Sequence, residues 1–216
     1  MYPTTLQKPF FLLLAAASVL SSCDEVCDKG DKPQFQFTSG QREWANPFVQ
    51  GTTWRFRNAA GYERSYLIKS FADDMLGRGG GKSSFCPSYY HQSLTVSLER
   101  TDSAHTASHS LQLATASYSR DTPFTAALYW DGNSFWLPIR EVEEGSTPVN
   151  YNSVSSSRIL AQYTAGSRTY QNVIECTIAP VVAAGKAPSS VVRIFQTKTE
   201  GIIRFETKAG TAWDRI

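Results

Sequence analysis

Apolar and polar residues alternate in short runs along most of this chain, and turn-forming residues separate the runs. Trp54-Arg55-Phe56-Arg57 places every second side chain on one face, Asn58-Ala59-Ala60-Gly61 supplies a turn, and Glu63-Arg64-Ser65-Tyr66-Leu67-Ile68 continues the alternation. A period of two is that of a half-buried strand, so these runs predict a hairpin. Ser93–Leu98 alternates cleanly, with Leu94, Val96 and Leu98 on the inward phase. Leu111 opens another strand that continues through Tyr118. Phe124–Trp130 and Phe135–Ile139 flank Asp131-Gly132-Asn133-Ser134, and Asp-Gly between aromatic-rich runs is a strong hairpin signal. Further strands are predicted over Arg158–Tyr163, Thr169–Ile178, Val191–Thr197, Gly201–Glu206 and Thr211–Arg215, with turns at Ala165-Gly166, Lys186–Pro188, Thr199–Gly201 and Ala209-Gly210. Lys69–Leu76 suits a helical turn or two. Gly77–Lys82 is too rich in glycine for regular structure, because glycine loses the most backbone freedom on ordering. Glu141–Ser156 reads as a long loop. No helical pattern of ~12 residues alternates with the strands, which argues against an α/β fold. The expected fold class is all-β: an antiparallel meander forming a curved sheet or barrel. A short helix near 69–76 or within 141–156 would plug an open end. The expected folded body is a single domain over residues 48–216.

The first residues follow a different pattern. Met1–Lys8 carries one Lys and no acid, Pro9–Leu20 is almost wholly apolar, and two serines precede Cys23. A positive segment, a short apolar run and small residues describe a secretory signal over residues 1–22. The apolar run is shorter than the ~20 residues that span a bilayer. Leu20-Ser21-Ser22-Cys23 resembles the bacterial lipoprotein signal. That resemblance implies that Cys23 is coupled to diacylglycerol, becomes the new N-terminus and anchors the protein through its lipid. One acyl chain holds only marginally, whereas two or three hold firmly. Asp24–Gly40 is polar and aperiodic, and residues 23–47 read as the lipidated N-terminus and a tether.

Composition narrows the function. The formal net charge is +2 over 216 residues, so no broad cationic field draws the chain to nucleic acid or acidic lipid. Five Trp and ten Tyr supply the aromatic packing that strands favour. The cysteine arithmetic depends on Cys23. A sulfur held in a thioether cannot pair, which leaves Cys27, Cys86 and Cys176 in an oxidising compartment. Cys86 and Cys176 lie among apolar or aromatic neighbours and are the first choice for a disulfide. A pair that uses Cys27, or no disulfide at all, remains open.

Several groupings invite a chemical reading. Gly77-Arg78-Gly79-Gly80-Gly81-Lys82-Ser83 approaches a phosphate-binding loop, but the first Gly of that motif would fall at position 76, which is Leu76. His105 and His109 are four apart, which puts two zinc ligands on one face of a helix but over ~13 Å apart in a strand. Little in Thr101–Ser110 favours a helix, so exposed loop histidines are expected; His91 is distant in sequence. Asp73-Asp74 and Glu141, Glu143 and Glu144 are the compact acidic groups, and nothing in their spacing pairs two carboxylates across a cleft. No serine elbow or thiol redox motif is present. The expectation is therefore no catalytic residue, no metal and no cofactor.

The C-terminal third carries a second resemblance. Thr169–Ile174, Val192-Arg193-Ile194-Phe195, Glu200-Gly201-Ile202-Ile203-Arg204-Phe205 and Gly210-Thr211-Ala212-Trp213 keep the order of a closing pattern in β-rich lipoproteins of the Bacteroidota. The usual Tyr-Ala-x-Gly lead-in is replaced by Phe195-Gln196-Thr197-Lys198. The resemblance implies a cell-envelope lipoprotein, with the outer membrane favoured and a periplasmic or surface-facing position, and it brings no catalytic residue. Tyr170, Val173, Ile203, Phe205 and Trp213 read as packing residues of a sheet. The expected role is non-catalytic: binding or structural support, with a glycan, a hydrophobic ligand or an envelope protein as partner. A carrier of lipid in a concave sheet cavity and a hydrolase of envelope polymers are the alternatives. An empty or a packed concave face would separate them.

Overall fold

A computed structural model describes residues 32–79, 86–103, 108–115, 124–148 and 154–216. The chain divides into two compact units. The larger comprises residues 35–76 and 91–216. The smaller includes residues 32–34, 77–79 and 86–90, where Ser88 N donates to Arg78 O (2.9 Å) and Tyr90 N to Pro33 O (2.9 Å). The lipoprotein signal at Leu20–Cys23, Cys27, residues 80–83 of the glycine-rich stretch, His105 and Tyr118 lie outside the described residues.

The fold is all-β. Its strands are β1 (Gln34–Phe35), β2 (Thr53–Asn58), β3 (Glu63–Arg78), β4 (Tyr89–Arg100), β5 (His109–Ala114), β6 (Thr125–Trp130), β7 (Asn133–Trp136), β8 (Ser155–Ala165), β9 (Arg168–Ile178), β10 (Val191–Thr197), β11 (Gly201–Thr207) and β12 (Ala212–Arg215). Among the described residues three short helices accompany them: α1 (Ser39–Glu43), α2 (Ile139–Glu144) and α3 (Pro180–Ala184). The sheet order β7-β6-β5-β4-β3-β2-β12-β11-β10-β9-β8 is a meander joined through β12 and β2, so the last strand sits at the centre of the path.

The two ends of this path come together in a nearly closed barrel. Ser157 Oγ on β8 donates to Trp136 O on β7 (2.7 Å), and Asn133 Nδ2 on β7 donates to Val191 O on β10 (2.7 Å). Side chains thus bridge the seam, in place of the backbone ladder found between the other neighbours, and protect edges that would otherwise invite pairing with another chain.

The alternation of the sequence becomes the inside and outside of the sheet. Trp54, Phe56, Tyr66, Ile68, Leu94, Val96, Leu111, Leu113, Leu128, Trp130, Phe135 and Phe205 are buried in one continuous interior cluster. Phe56, Tyr66, Trp130 and Phe205 pack ring to ring at its centre, with centroids 4.6–6.5 Å apart. A second cluster of Ala165, Tyr170, Val173, Phe195 and Ile203 packs separately. Asn172, with φ of +51°, interrupts the period of β9. Val173 consequently joins this second cluster, whereas Ile174 and Cys176 join the first.

Several expectations need correction. Residues 69–76 are strand, not helix: they extend β3, and its side chains from Lys69 on are largely exposed. The other position expected for a short helix, within 141–156, does carry one: α2 starts at Ile139, the end of the run read as a strand, and extends to Glu144, with Gly145 closing it at φ +65°. The folded body begins before residue 48. Trp44 and Ala45 are buried in the core, and Thr38 caps α1 reciprocally with Gln41. Cys176 does not pair with Cys86. It is a free, buried thiol, while Cys86 is disulfide-bonded elsewhere. The inward phase of β9 takes Cys176 into the core, where Sγ lies 3.4 Å from Trp136 O and 3.3 Å from Ser157 Oγ.

Candidate functional site

The barrel interior, where a carrier would hold its ligand, holds the aromatic cluster of Phe56, Tyr66, Trp130 and Phe205. Within it lies a polar group that the sequence reading missed. β3, β5 and the β6–β7 turn bring together Arg64, Tyr66, His109 and Asp131. His109 Nε2 is 2.9 Å from Asp131 Oδ1, and Arg64 Nη1 is 4.0 Å from Asp131 Oδ2. The Arg64 guanidinium lies over the Trp213 ring at 4.2 Å. Burial, followed by the Asp131 charge, pushes the Tyr66 hydroxyl well above the usual phenol range. The signal for this cluster was present: Arg64 shares the inward phase of Tyr66 and Ile68. His109 is therefore a buried strand residue, not the exposed loop residue expected.

This group has the parts of a general base, a histidine oriented by a carboxylate. A histidine that activates a nucleophile needs that nucleophile within hydrogen-bond reach. His109 Nδ1 has no hydrogen-bond partner among the described residues, and the ring is fully buried. Asp131 stands between His109 and Arg64 in this buried setting, and removing one partner of a buried pair costs about 3–5 kcal/mol.

The acidic residues are dispersed. Asp73 pairs with Arg42 and accepts from Gln92 Nε2 (2.7 Å). Glu141 is buried beside Arg140 at 3.1 Å. Glu143 accepts from Trp44 Nε1 (2.9 Å) and Lys198 Nζ (3.0 Å), which ties α1 and α2 to the β10–β11 turn. Among the described residues, no group of three or more His, Cys, Asp or Glu side chains is placed to hold a metal.

The surface carries the more open arrangements. Six alternating charges cross five strands: Arg158 (β8), Glu175 (β9), Arg193 (β10), Glu206 and Arg204 (β11) and Asp214 (β12), with successive contacts of 2.5, 3.3, 3.1, 3.0 and 3.1 Å. Arg193 and Arg204 are each held between two acids, so their guanidiniums are fixed in place.

Next to the end of this ladder lies a cleft of about 900 Å³, lined by the β2–β3, β8–β9 and β11–β12 turns. Arg57, Arg168, Arg204, Arg215 and Asp214 reach its wall, and Tyr62 stands on it 70% exposed. Arg57 is held by Glu63 and Arg168 by Glu200 (2.7 Å). Arg215 donates to Glu200 O and lies over the Trp54 ring at 4.2 Å. Burial draws the Arg215 guanidinium below its ordinary value, against the pull of Glu200. Donors fixed in position around an exposed ring can recognise a polar ligand with little ordering cost.

A second depression of about 590 Å³ is lined by Tyr170, Gln171, Asn172, Lys198 and Glu143, among others. Sequence reading found neither, because turns distant along the chain build each of them.

Comparison with family models, with curated proteins and with solved structures finds no match to this chain.

Proposed function

We propose that the protein is a non-catalytic cell-envelope lipoprotein, anchored by acyl chains on Cys23, that binds a polar envelope ligand on the outside of its barrel. The observation that carries this reading is the filled interior: with Phe56, Tyr66, Trp130 and Phe205 packed together, the outer surface is left for recognition. The turn-lined cleft is the contact surface. Its exposed Tyr62 ring offers a stacking face, and its fixed guanidiniums and Asp214 offer directional hydrogen bonds, a combination suited to the hydroxyl-rich faces of a glycan. The outer membrane is the favoured location, on the resemblance of the C-terminal pattern.

The test is binding of the purified protein to isolated envelope glycans, with wild type compared with Tyr62→Ala and Arg168→Ala. The expected result is saturable binding that both substitutions weaken, with no release of reducing ends. Cleavage of the glycan would favour the hydrolase alternative. Absence of binding together with a stoichiometric hydrophobe in the protein would favour the carrier.

A further inference from the structure

The turn-lined cleft is built from paired charges, and the pairs do not balance. On the β2–β3 hairpin, Arg55 and Arg57 share a single acid, Glu63, at 2.6 and 2.5 Å. Where β9 starts, Arg168 takes the Glu200 carboxylate at 2.7 Å, and Glu200 offers Arg215 only its backbone carbonyl. Among the described residues Arg215 forms no ion pair. Arg204 and Asp214 belong to the ladder, whose three arginines and three acids cancel. The side chains around the cleft thus leave two positive charges without a partner, one at the β2–β3 hairpin and one beside Glu200.

The second of these is held away from water. The Arg215 guanidinium lies over the Trp54 ring, and burial draws it below its ordinary value. A desolvated cation without a counter-charge is costly, so a ligand that brings the missing anion recovers that cost on binding. A guanidinium is also a planar fork that matches a carboxylate through two parallel N–H···O bonds.

We propose that the cleft selects an acidic glycan, a polymer whose sugar rings carry carboxylates, with Arg57 and Arg215 as the residues that read the charge. The proposal rests on the glycan reading of this surface and adds which glycan. Two observations favour carboxylate over phosphate. The unpartnered charges stand one at each place, which suits single charges spaced along a chain of acidic sugars. Asp214 also reaches the wall, and its charge repels a phosphate dianion about twice as strongly as a carboxylate. The cleft, about 900 Å³, has room for more than one ring, and Tyr62 offers the stacking face that an anion alone would not need.

The test uses the full chain and the isolated envelope polysaccharide in three forms: untreated, with its carboxylates reduced to alcohols by carbodiimide and borohydride, and with its phosphate monoesters removed by phosphatase. Carboxyl reduction leaves the rings and their hydroxyls in place and takes away only the charge. The expected result is binding that falls at least tenfold on carboxyl reduction, is unmoved by phosphatase and weakens with added salt. Arg57→Gln leaves Arg55 matched to Glu63, and Arg215→Gln leaves Arg168 matched to Glu200. Each should narrow the gap between the untreated and reduced forms several-fold. Arg57 is half exposed, so its variant reports even if Arg215→Gln fails to fold. Equal binding of the untreated and reduced forms would overturn the acidic ligand and leave the glycan reading standing. A loss on phosphatase treatment instead would overturn the carboxylate. A gap that Arg57→Gln does not narrow would overturn the assignment of charge reading to this cleft. Binding of none of the three forms would overturn the glycan reading, and the proposal with it.

Discussion

Cys176 shows how far a single residue's meaning depends on its neighbours. Its sequence context, apolar and in a chain read as exported, suited a disulfide. Burial instead pushes its thiol up to about 12, a direction that the Ser157 hydroxyl opposes and Glu175 reinforces. Thiolate is the reactive form, so Cys176 should resist iodoacetamide at pH 8 in the folded protein and react fully once unfolded; mass spectrometry of both samples checks this. Gly201 is the converse case, a residue with a requirement that the sequence did not reveal. Its φ is +69°, and an added Cβ would stand 2.6 Å from Cη2 of the Trp54 ring. Left-handed backbone strain alone costs about 1–3 kcal/mol at a non-glycine residue. Gly201→Ala should therefore lower stability by at least that amount in chemical denaturation, whereas Gly132→Ala, with open space around it, should cost only the backbone term.

At the scale of elements, the β pattern was readable wherever one face is wet and the other buried. The hairpins β2–β3 and β6–β7, the inward Leu94, Val96 and Leu98 of β4, and the C-terminal strands follow the alternation directly. The failures have physical causes. Residues 69–76 pack little against anything and carry no alternation, so their pairing with β4, seen in Lys69 to Glu99 (2.7 Å) and Ser70 to Ser97 (2.6 Å), leaves no local trace. Trp44 looked like part of a tether because it stands alone in a polar segment, and its partner Glu143 lies 99 residues away. Strand β12 is only four residues long, yet it joins β2 to β11. Trp213 packs parallel to Phe205 at 6.0 Å and lies under Arg64, which should anchor that strand against fraying. Trp213→Ala is expected to cost about 3–5 kcal/mol and to lower the melting temperature by several degrees. A melting curve unchanged in calorimetry would show that β12 is dispensable.

At the scale of the molecule, acidic side chains make the barrel's stability depend on pH. Hydrogen bonds from Arg55 and Arg57 hold the Glu63 carboxyl below its ordinary range. Burial would raise Asp102, but the bonds from Arg100 and the Ser65 amide outweigh it and bring its carboxyl lower as well. A carboxyl depressed in the folded state contributes stability above its unfolded value and loses that contribution as pH falls through its folded value. Stability measured by urea unfolding should hold between pH 7 and about 5 and decline below ~4; a rise in stability on acidification would contradict these pairings. The candidate binding surface was illegible in the sequence because it belongs to the whole molecule: Arg57, Arg168 and Arg215 meet only when three turns are brought together. The central claim is that this barrel is filled by its own side chains. Native mass spectrometry of the protein purified from its host cells, compared with the same sample denatured, tests it most directly. The account expects one mass in both, that of the polypeptide with any covalent modification it carries. A stoichiometric hydrophobic adduct that is present in the native spectrum and lost on denaturation would contradict it.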